Sequence, residues 1–227
     1  MTLNRQIIVT SLILAAVILL FGMTDIDLWV QDLFYNFTTK SWILDWHLQP
    51  YKFIFYDGIK KLLIIIAVLF LLTLLFFWKK AFVQQYKQGM IILILSALLV
   101  PGIASGLKRE TNMPCPKDEK HYGGLYPRTA VWQKYPETFK LHHKRTKCWP
   151  AGHASGGFAL FSLFFLFKKR RNKFIGLGIG FLTGWSMGLY KMVIGDHFLS
   201  HTVITMVLAW LIILLIAKSV YALKILK

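Results

Sequence analysis

FIGLGIGFLTGWSMGLY, residues Phe174–Tyr190, is the stretch that decides the fold. Its length and apolar composition suit a transmembrane helix, which needs roughly 20 mostly apolar residues. A glycine recurs at every fourth position on one helical face: Gly176, Gly180, Gly184 and Gly188. Small residues at this spacing let a second helix backbone approach closely. The preceding apolar run offers a similar surface at Gly152, Gly156 and Ala159. We therefore expect these two helices to pack together and to hold His153 near the outer end of the glycine-bearing helix.

Six apolar runs of this kind dominate a chain whose residues are 56% hydrophobic. They are Ile7–Met23, Leu62–Trp78, Met90–Leu107, Ala154–Phe167, Phe174–Tyr190 and Thr202–Ala217. Backbone polar groups find no water in the hydrocarbon of a membrane, so each run should cross it as a helix. The first run is long for a secretory signal, and no small-residue cleavage site follows it. The sequence therefore predicts an all-α polytopic membrane protein with six transmembrane helices, forming a single domain over residues 1–227.

The basic residues set the expected orientation of these helices. Twelve of them, with no acidic residue among them, fall on the side that holds both termini: Arg5, Lys79, Lys80, Lys87, Lys168, Lys169, Arg170, Arg171, Lys173, Lys218, Lys224 and Lys227. Basic short loops stay in the cytoplasm, so both termini should be cytoplasmic. Ten further basic residues lie between Lys108 and Lys147, in a loop of residues 108–152 on the outer side. This loop suits an anionic partner, and on the outer face a phosphorylated lipid headgroup fits better than nucleic acid.

A short segment after the first run alternates acidic and bulky apolar residues. We expect Asp25–Phe37 to form a helix that lies in the outer interface of the membrane. Three tryptophans in and after this segment suit an aromatic belt at the membrane surface: Trp29, Trp42 and Trp46. His47 is interpreted as a solvated interfacial side chain.

Four polar residues should meet on the outer face of a six-span protein. Lys108 ends the third run, His153 begins the fourth, Lys191 ends the fifth and His197 precedes the sixth. Lysines supply the positive charge that a transferring phosphoryl group requires. The backbone N–H groups that open a helix, here at Gly152, also bind anions. A neutral histidine can attack phosphorus, and a second histidine can protonate the leaving oxygen.

These residues fall in three short blocks, in chain order. The blocks are Lys108 through Cys115-Pro116, then Pro150-Ala151-Gly152-His153, then Tyr190-Lys191 through His197 to His201. They resemble the KxxxxxxRP, PSGH and SRxxxxxHxxxD blocks of the type 2 phosphatidic acid phosphatase superfamily, in its bacterial integral-membrane lipid phosphatase branch. Order and spacing match over roughly the last 120 residues of the chain.

The resemblance implies a role for each of these residues. His197 corresponds to the family's nucleophile, which forms a phosphohistidine, and His153 corresponds to its general acid. His201 takes the position of the residue that orients the nucleophile. The phosphate-binding positions are Lys108, Gly152 and Lys191. The scheme requires no cofactor and no metal. A zinc peptidase site at His197 and His201 is disfavoured, because Phe198 stands where the HExxH motif needs glutamate.

Four positions depart from the family's blocks. Cys115 replaces an arginine, Lys191 replaces a second arginine, His201 replaces an aspartate and Ala151 replaces a serine. Loss of the first arginine removes a bidentate phosphate donor. Candidates for a replacement guanidinium are Arg109, Arg128 and Arg145. Candidates to compensate for the missing aspartate are Asp196 and Glu110. The changes fit either an altered substrate or a reduced activity.

The two cysteines of the chain both lie in the 108–152 loop. Cys115 and Cys148 each precede a proline of one block by one or two residues. Disulfides persist in an oxidising compartment such as a bacterial periplasm. We predict a Cys115–Cys148 disulfide, which would tie the first block to the second.

The leading hypothesis is a metal-independent phosphatase in the bacterial inner membrane, with its active site facing the periplasm. Candidate substrates are undecaprenyl pyrophosphate, phosphatidylglycerol phosphate, phosphatidic acid and lipid A phosphates, and the 108–152 loop would choose among them. A lipid phosphotransferase with the same intermediate is one alternative. A non-catalytic lipid-binding protein or flippase is another. The sequence does not indicate an oligomeric state.

Overall fold

The computed structural model describes residues 1–45 and 49–223 of the chain and is mostly helical. Four residues with expectations attached lie outside the described residues: Trp46, His47, Lys224 and Lys227.

Ten α-helices and one small hairpin make up the regular structure of the described residues. The helices are α1 (Leu3–Met23), α2 (Ile26–Asp32), α3 (Gln49–Lys52), α4 (Gly58–Phe77), α5 (Ala81–Glu110), α6 (Glu137–His142), α7 (Gly152–Phe158), α8 (Leu163–Leu166), α9 (Arg170–Val193) and α10 (Leu199–Ala222). A π-helical turn at Phe53–Asp57 joins α3 to α4, and a 3₁₀ turn at Ala159–Ser162 joins α7 to α8. Two further 3₁₀ turns lie at Pro116–Asp118 and Lys120–Tyr122. Strands β1 (Tyr35–Asn36) and β2 (Ser41–Trp42) pair antiparallel, with Tyr35 opposite Trp42.

Within residues 1–45 and 49–223, four helical segments are long and apolar enough to cross a membrane. They are Leu3–Met23, Pro50–Phe77, Ala81–Glu110 and Leu199–Ala222, with mean hydropathy from 2.4 to 2.6. These segments confirm the expected class of helical membrane protein. The fourth predicted run forms a shorter apolar helix, Gly152–Leu166, which the 3₁₀ turn interrupts. The fifth forms α9, which has 24 residues but is less apolar than α10. Crossing by six helices stays a prediction.

The glycine-bearing face of α9 packs directly against α7 and the turn that follows it, as the sequence predicts. A Cβ atom on Gly157 would lie 2.6 Å from the Cα atom of Gly184, so the two backbones leave no room for a methyl group. A Cβ atom on Gly180 would lie 2.7 Å from the backbone nitrogen of Phe161. This close packing brings His153, in the first turn of α7, to the end of the bundle at which α9 terminates.

Helix α10 is the central helix, because it contacts α1, α5, α7 and α9. Its Ile213 is fully buried, as are Ile92 of α5 and Phe158 of α7 in the same cluster. Lipid tails are as apolar as these side chains, so close packing rather than exclusion of water favours the association of the helices. The first turn of α10 lies at the same end as the start of α7 and the end of α5.

The segment after α1 differs from the expected interfacial helix. Helix α2 ends at Asp32, and the chain then turns into the β1–β2 hairpin instead of continuing to Phe37. Two of its polar side chains are buried rather than turned to water: Asp27 is 2% exposed and Gln31 is fully buried. Trp29 remains 70% exposed, as an interfacial side chain would be. The predicted length of the helix was wrong, because the chain turns into the hairpin after Asp32, whereas its place in the outer interface stays a prediction.

Candidate functional site

Two histidines form the centre of the site. His197 lies in the turn between α9 and α10, and His201 lies in the first turn of α10. Their Nδ1 atoms are 3.2 Å apart, a hydrogen-bonding distance. The backbone N–H of His197 also donates to the carbonyl oxygen of Lys191, at 3.1 Å. Among the described residues, the Nε2 atom of His197 has no hydrogen-bond partner. The ring of His197 is thus held from one side, and its second nitrogen is left available.

The surroundings of His197 favour its neutral form. Burial lowers the pKa of this imidazole well below its ordinary value of 6.5, and the nearby groups His201 and Lys108 lower it further. A buried cation next to other positive groups costs free energy, so the proton leaves more readily. This shift favours the free base of His197, which has a lone pair on one ring nitrogen.

His153 and Lys108 complete the cluster from two other helices. The ring centroids of His153 and His197 are 6.1 Å apart. Lys108, in the last turn of α5, reaches over the start of α7, where a Cβ atom on Gly152 would lie 3.5 Å from the lysine Nζ atom. The glycine therefore allows the ammonium group to approach the backbone N–H groups that open α7. A positive charge and a helix N-terminus together favour an anion at this point.

Two lysines surround the carboxylate of Asp196. Lys191 Nζ lies 2.7 Å from one carboxylate oxygen of Asp196, and Lys117 Nζ lies 2.7 Å from the other. Burial alone would raise the pKa of Asp196, but the two ammonium groups outweigh it and lower the pKa below its ordinary value. The backbone N–H of Lys117 also donates to the carbonyl oxygen of Gly195, at 3.0 Å. One carboxylate thus holds two lysines beside His197.

The structure also locates the three arginines considered as replacements for the missing guanidinium. Arg128 donates to the carboxylate of Asp25 and, at 2.8 Å, to the carbonyl oxygen of Thr24, so it is bound at the end of α1. Arg109 and Arg145 are exposed. Lys117 is the cation of the 108–152 loop that reaches the turn of His197, and the sequence did not single it out.

The cysteines lie as the predicted pairing requires. Cys115 and Cys148 are at disulfide-bonding distance, with Cα atoms 5.2 Å apart. Together with Asp118 they form, within the described chain, the one group of three His, Cys, Asp or Glu side chains close enough to share a metal ion. Sulfur atoms that bond to each other are not metal ligands in that state. The pairing fixes the chain two residues before Lys117, which directly follows the first block.

An apolar groove leads into the site from the membrane-spanning region. It is a cavity of about 650 Å³ between α4, α5 and α7, lined by aliphatic side chains such as Leu71 and Leu93. Its polar end consists of Lys60, Lys108, Gly152 and His153. Fifteen helical residues separate Leu93 from Lys108, so the groove extends about 22 Å along α5. A groove of this length with a cationic end fits an extended apolar chain that carries an anion.

Helices long enough to cross a membrane, with histidines and lysines grouped at one end, define a membrane protein suited to binding an anionic group. The family model described as the PAP2 superfamily matches residues 89–225, which is more than half of the chain. The protein therefore belongs to the PAP2 superfamily. Membership indicates a phosphatase that acts on phosphate esters, which in this superfamily are typically lipids. No curated protein and no solved structure gives a significant match to the chain.

Proposed function

We propose that the protein is a metal-independent lipid phosphatase that acts through a phosphohistidine on His197. The observation that carries this proposal is the 3.2 Å contact between the Nδ1 atoms of His197 and His201. If His201 accepts the Nδ1 proton of His197, the Nε2 lone pair of His197 is the one that can attack phosphorus. Enzyme nucleophiles are commonly activated and oriented by a hydrogen bond to a neighbouring group, and His201 would take this role for His197.

The reaction would proceed in two steps that reuse the same residues. In the first, His197 Nε2 attacks phosphorus, the bond from phosphorus to the lipid oxygen breaks, and protonated His153 gives its proton to that oxygen. Burial and the charges of Lys191 and Lys108 lower the pKa of His153 to about 4, so this step requires the bound anionic phosphate to raise that pKa again, as a nearby negative charge does. In the second, neutral His153 takes a proton from water, and the resulting hydroxide displaces the histidine and releases phosphate. Lys108, Lys191 and the N–H groups at Gly152 would hold the phosphoryl oxygens, because charge stabilisation is the main requirement of this chemistry.

Lys117 is proposed to supply the positive charge that is lost with the arginine at position 115. Lys117 and Lys191 both pair with the carboxylate of Asp196. The ammonium group of Lys117 therefore lies near a proposed phosphate-binding residue. A lysine offers a point charge rather than the planar fork of a guanidinium, so the replacement keeps charge and loses bidentate geometry.

The apolar groove supports a lipid as the substrate. Its cationic end coincides with Lys108 and His153, so a chain lying in the groove would place its phosphate beside His153, whose ring centroid lies 6.1 Å from that of His197. The candidate substrates remain undecaprenyl pyrophosphate, phosphatidylglycerol phosphate, phosphatidic acid and lipid A phosphates.

We further propose one six-span domain over residues 1–227 in a bacterial inner membrane, with both termini cytoplasmic. The disulfide pairing supports a site that faces the oxidising periplasm.

The test is phosphate release from this panel of lipids by purified full-length protein, with chelator present. His197→Ala should abolish release, and His153→Ala should reduce it by about 10²- to 10⁴-fold, the usual contribution of a general acid. His142→Ala changes an exposed histidine of α6 and serves as the matched control.

With a ³²P-labelled lipid, the native protein should trap acid-labile label and His197→Ala should not. Full activity in the His197→Ala protein would overturn the mechanism. Label that appears on an added lipid acceptor would identify a phosphotransferase, and binding without release would identify a non-catalytic lipid-binding protein.

A further inference from the structure

A second cavity, of about 480 Å³, lies within the 108–152 loop and away from the apolar groove. Its aromatic lining is a stacked cluster: the rings of Phe139 and His143 are parallel with centroids 4.0 Å apart, and Tyr135 lies 4.8 Å from Phe139. The hydroxyl of Tyr135 donates to the carbonyl oxygen of Pro127 at 2.7 Å, and that of Tyr126 donates to the carbonyl oxygen of Lys144 at 2.6 Å. These ring contacts and hydrogen bonds hold the aromatic wall of the cavity in place.

The charged lining of this cavity is mostly basic. It contains four cations, Lys134, Lys140, Lys144 and Arg145, and one carboxylate, Glu110. Lys140 also pairs with Glu137 at the edge of α6, so the excess positive charge is carried by the other three cations. Two amides, Asn112 and Gln133, complete the polar lining. Phosphate oxygens accept hydrogen bonds from such cations, and those bonds are about twice as strong as neutral ones.

Size and composition together restrict the ligand. A cavity of about 480 Å³ is far larger than one phosphate needs and lies in the range of about 300–1,000 Å³ typical of small-molecule sites. A carboxylate in the lining would repel a ligand that carried only negative groups, but it would accept a hydrogen bond from a hydroxyl. The aromatic wall can cover the flat, less polar face of a ring. We propose that this cavity binds a phosphorylated sugar.

The cavity and the phosphate-binding end of the proposed active site both include residues from the end of α5. Glu110 lies two residues beyond Lys108 on α5, so one helix end contributes to both. The hydroxyl of Thr146 donates to the carbonyl oxygen of Asn112 at 2.8 Å, close to the Cys115–Cys148 pairing in the chain. A sugar in this cavity can therefore belong to the headgroup of the lipid whose phosphate reaches His197. This last assignment rests on the proposed function, whereas sugar phosphate binding does not.

The first experiment measures binding in a protein that cannot turn over the probe. Full-length His197→Ala protein in lipid nanodiscs is titrated calorimetrically with glucose 1-phosphate, glucose and inorganic phosphate. The sugar phosphate should bind most tightly. Replacing Lys144 and Arg145 together by glutamate should weaken its binding by about ten-fold or more, since ten-fold corresponds to only 1.4 kcal/mol. Lys120→Glu, a charge reversal at an exposed residue of the same loop outside the cavity, is the matched control and should not weaken it.

Equal affinities for inorganic phosphate and glucose 1-phosphate would overturn the proposal, as would equal losses in the cavity variant and in Lys120→Glu. A failure of the phosphatase mechanism would not affect this result, because His197 is already absent. A second arm uses the protein with His197 intact and compares KM for a sugar-bearing lipid phosphate with KM for phosphatidic acid. A rise of that ratio by about ten-fold in the cavity variant assigns the sugar to the lipid headgroup. An unchanged ratio with weakened binding assigns the cavity to a soluble sugar phosphate.

Discussion

The carboxylate of Asp27, in α2, accepts the backbone N–H of Ser200, in the first turn of α10, at 2.8 Å. The same short helix also reaches the end of α9, where the side-chain amide of Gln31 donates to the carbonyl oxygen of Met192 at 2.8 Å. These two bonds hold both sides of the turn that carries His197. An element outside the family-matched residues 89–225 therefore positions the proposed nucleophile.

Asp27→Ala should destabilise the protein and lower its activity. The substitution removes the cap of α10 and leaves a buried N–H group without its acceptor. Loss of an N-cap costs about 0.5–2 kcal/mol of unfolding free energy. Thermal unfolding of the protein in detergent, followed by phosphate release at a permissive temperature, measures both effects. Asp25→Ala is the control: Asp25 is largely exposed, and its pair with Arg128 should contribute about 1 kcal/mol or less. Equal losses in the two variants would contradict a specific capping role.

The capping bond shows where sequence reasoning stops. The distribution of charged and apolar residues correctly indicated a helical membrane protein, and the spacing of three blocks indicated the family. Nothing in the spacing of Asp25–Phe37 shows that Asp27 meets a residue 173 positions later. An alternation of acidic and apolar residues fits a helix on a membrane surface equally well, and only the three-dimensional contact distinguishes the two.

The imidazole of His197 should titrate below pH 6.5. Its pKa is lowered by burial and by the positive groups around it, so the free base persists as the pH falls through the usual histidine range. The measurement is ¹⁵N NMR of histidine-labelled protein, with the His197→Ala spectrum identifying the resonance. This readout avoids the titration of the substrate phosphate, whose second pKa is near 6. A midpoint at or above 6.5 would remove the reason for expecting an unprotonated nucleophile in acidic buffer.

Glu119 should make the protein less stable as the pH rises. This side chain is 2% exposed, and burial raises its pKa to about 7, against the opposing charges of Arg128 and His121. The folded protein therefore binds the proton more tightly than the unfolded chain, whose pKa is near 4.5. This contribution to stability is full below pH 4.5 and is lost as the pH rises through 7.

Glu119→Gln should therefore raise the unfolding temperature at pH 8 more than at pH 5. The expected gain in unfolding free energy at pH 8 is on the order of 1–3 kcal/mol. Glu137→Gln makes the same substitution at a side chain that is 85% exposed, and it serves as the matched control. Parallel curves of unfolding temperature against pH for native protein and Glu119→Gln would show that Glu119 is not the group responsible.

The Cys115–Cys148 pairing should contribute to both stability and activity. Closing a loop across 33 residues lowers the entropy of the unfolded chain, a contribution of about 3 to 4 kcal/mol in the chain-entropy account. A Cys115→Ser, Cys148→Ser double variant should unfold at a lower temperature. It should also have a higher KM, because Lys117 follows Cys115 by two residues and would lose its fixed position beside Asp196. Full labelling of both cysteines by an alkylating reagent without reductant would contradict the pairing.

Lys117 illustrates the second limit on sequence reasoning. It is one of ten basic residues between Lys108 and Lys147, and its charge does not distinguish it from the others. The hydrogen bond from its backbone to Gly195 and the ion pair with Asp196 single it out. Both contacts depend on the path of the loop, which follows from the disulfide and the turn at Gly195 rather than from any periodic pattern.

The glycines of α9 allow a test within one helix. A Cβ atom on Gly184 would overlap the ring of Phe158, whereas one on Gly178 would have no heavy atom within 4 Å. Gly184→Ala should therefore cost about 1–3 kcal/mol of unfolding free energy through overpacking. Gly178→Ala should be neutral or stabilising by up to about 1 kcal/mol, since alanine favours the helix. Because α7 carries His153 five residues before Phe158, Gly184→Ala should also reduce phosphate release at temperatures where the protein stays folded. Equal effects of the two substitutions on stability and activity would show that close packing of α7 on α9 does not position His153.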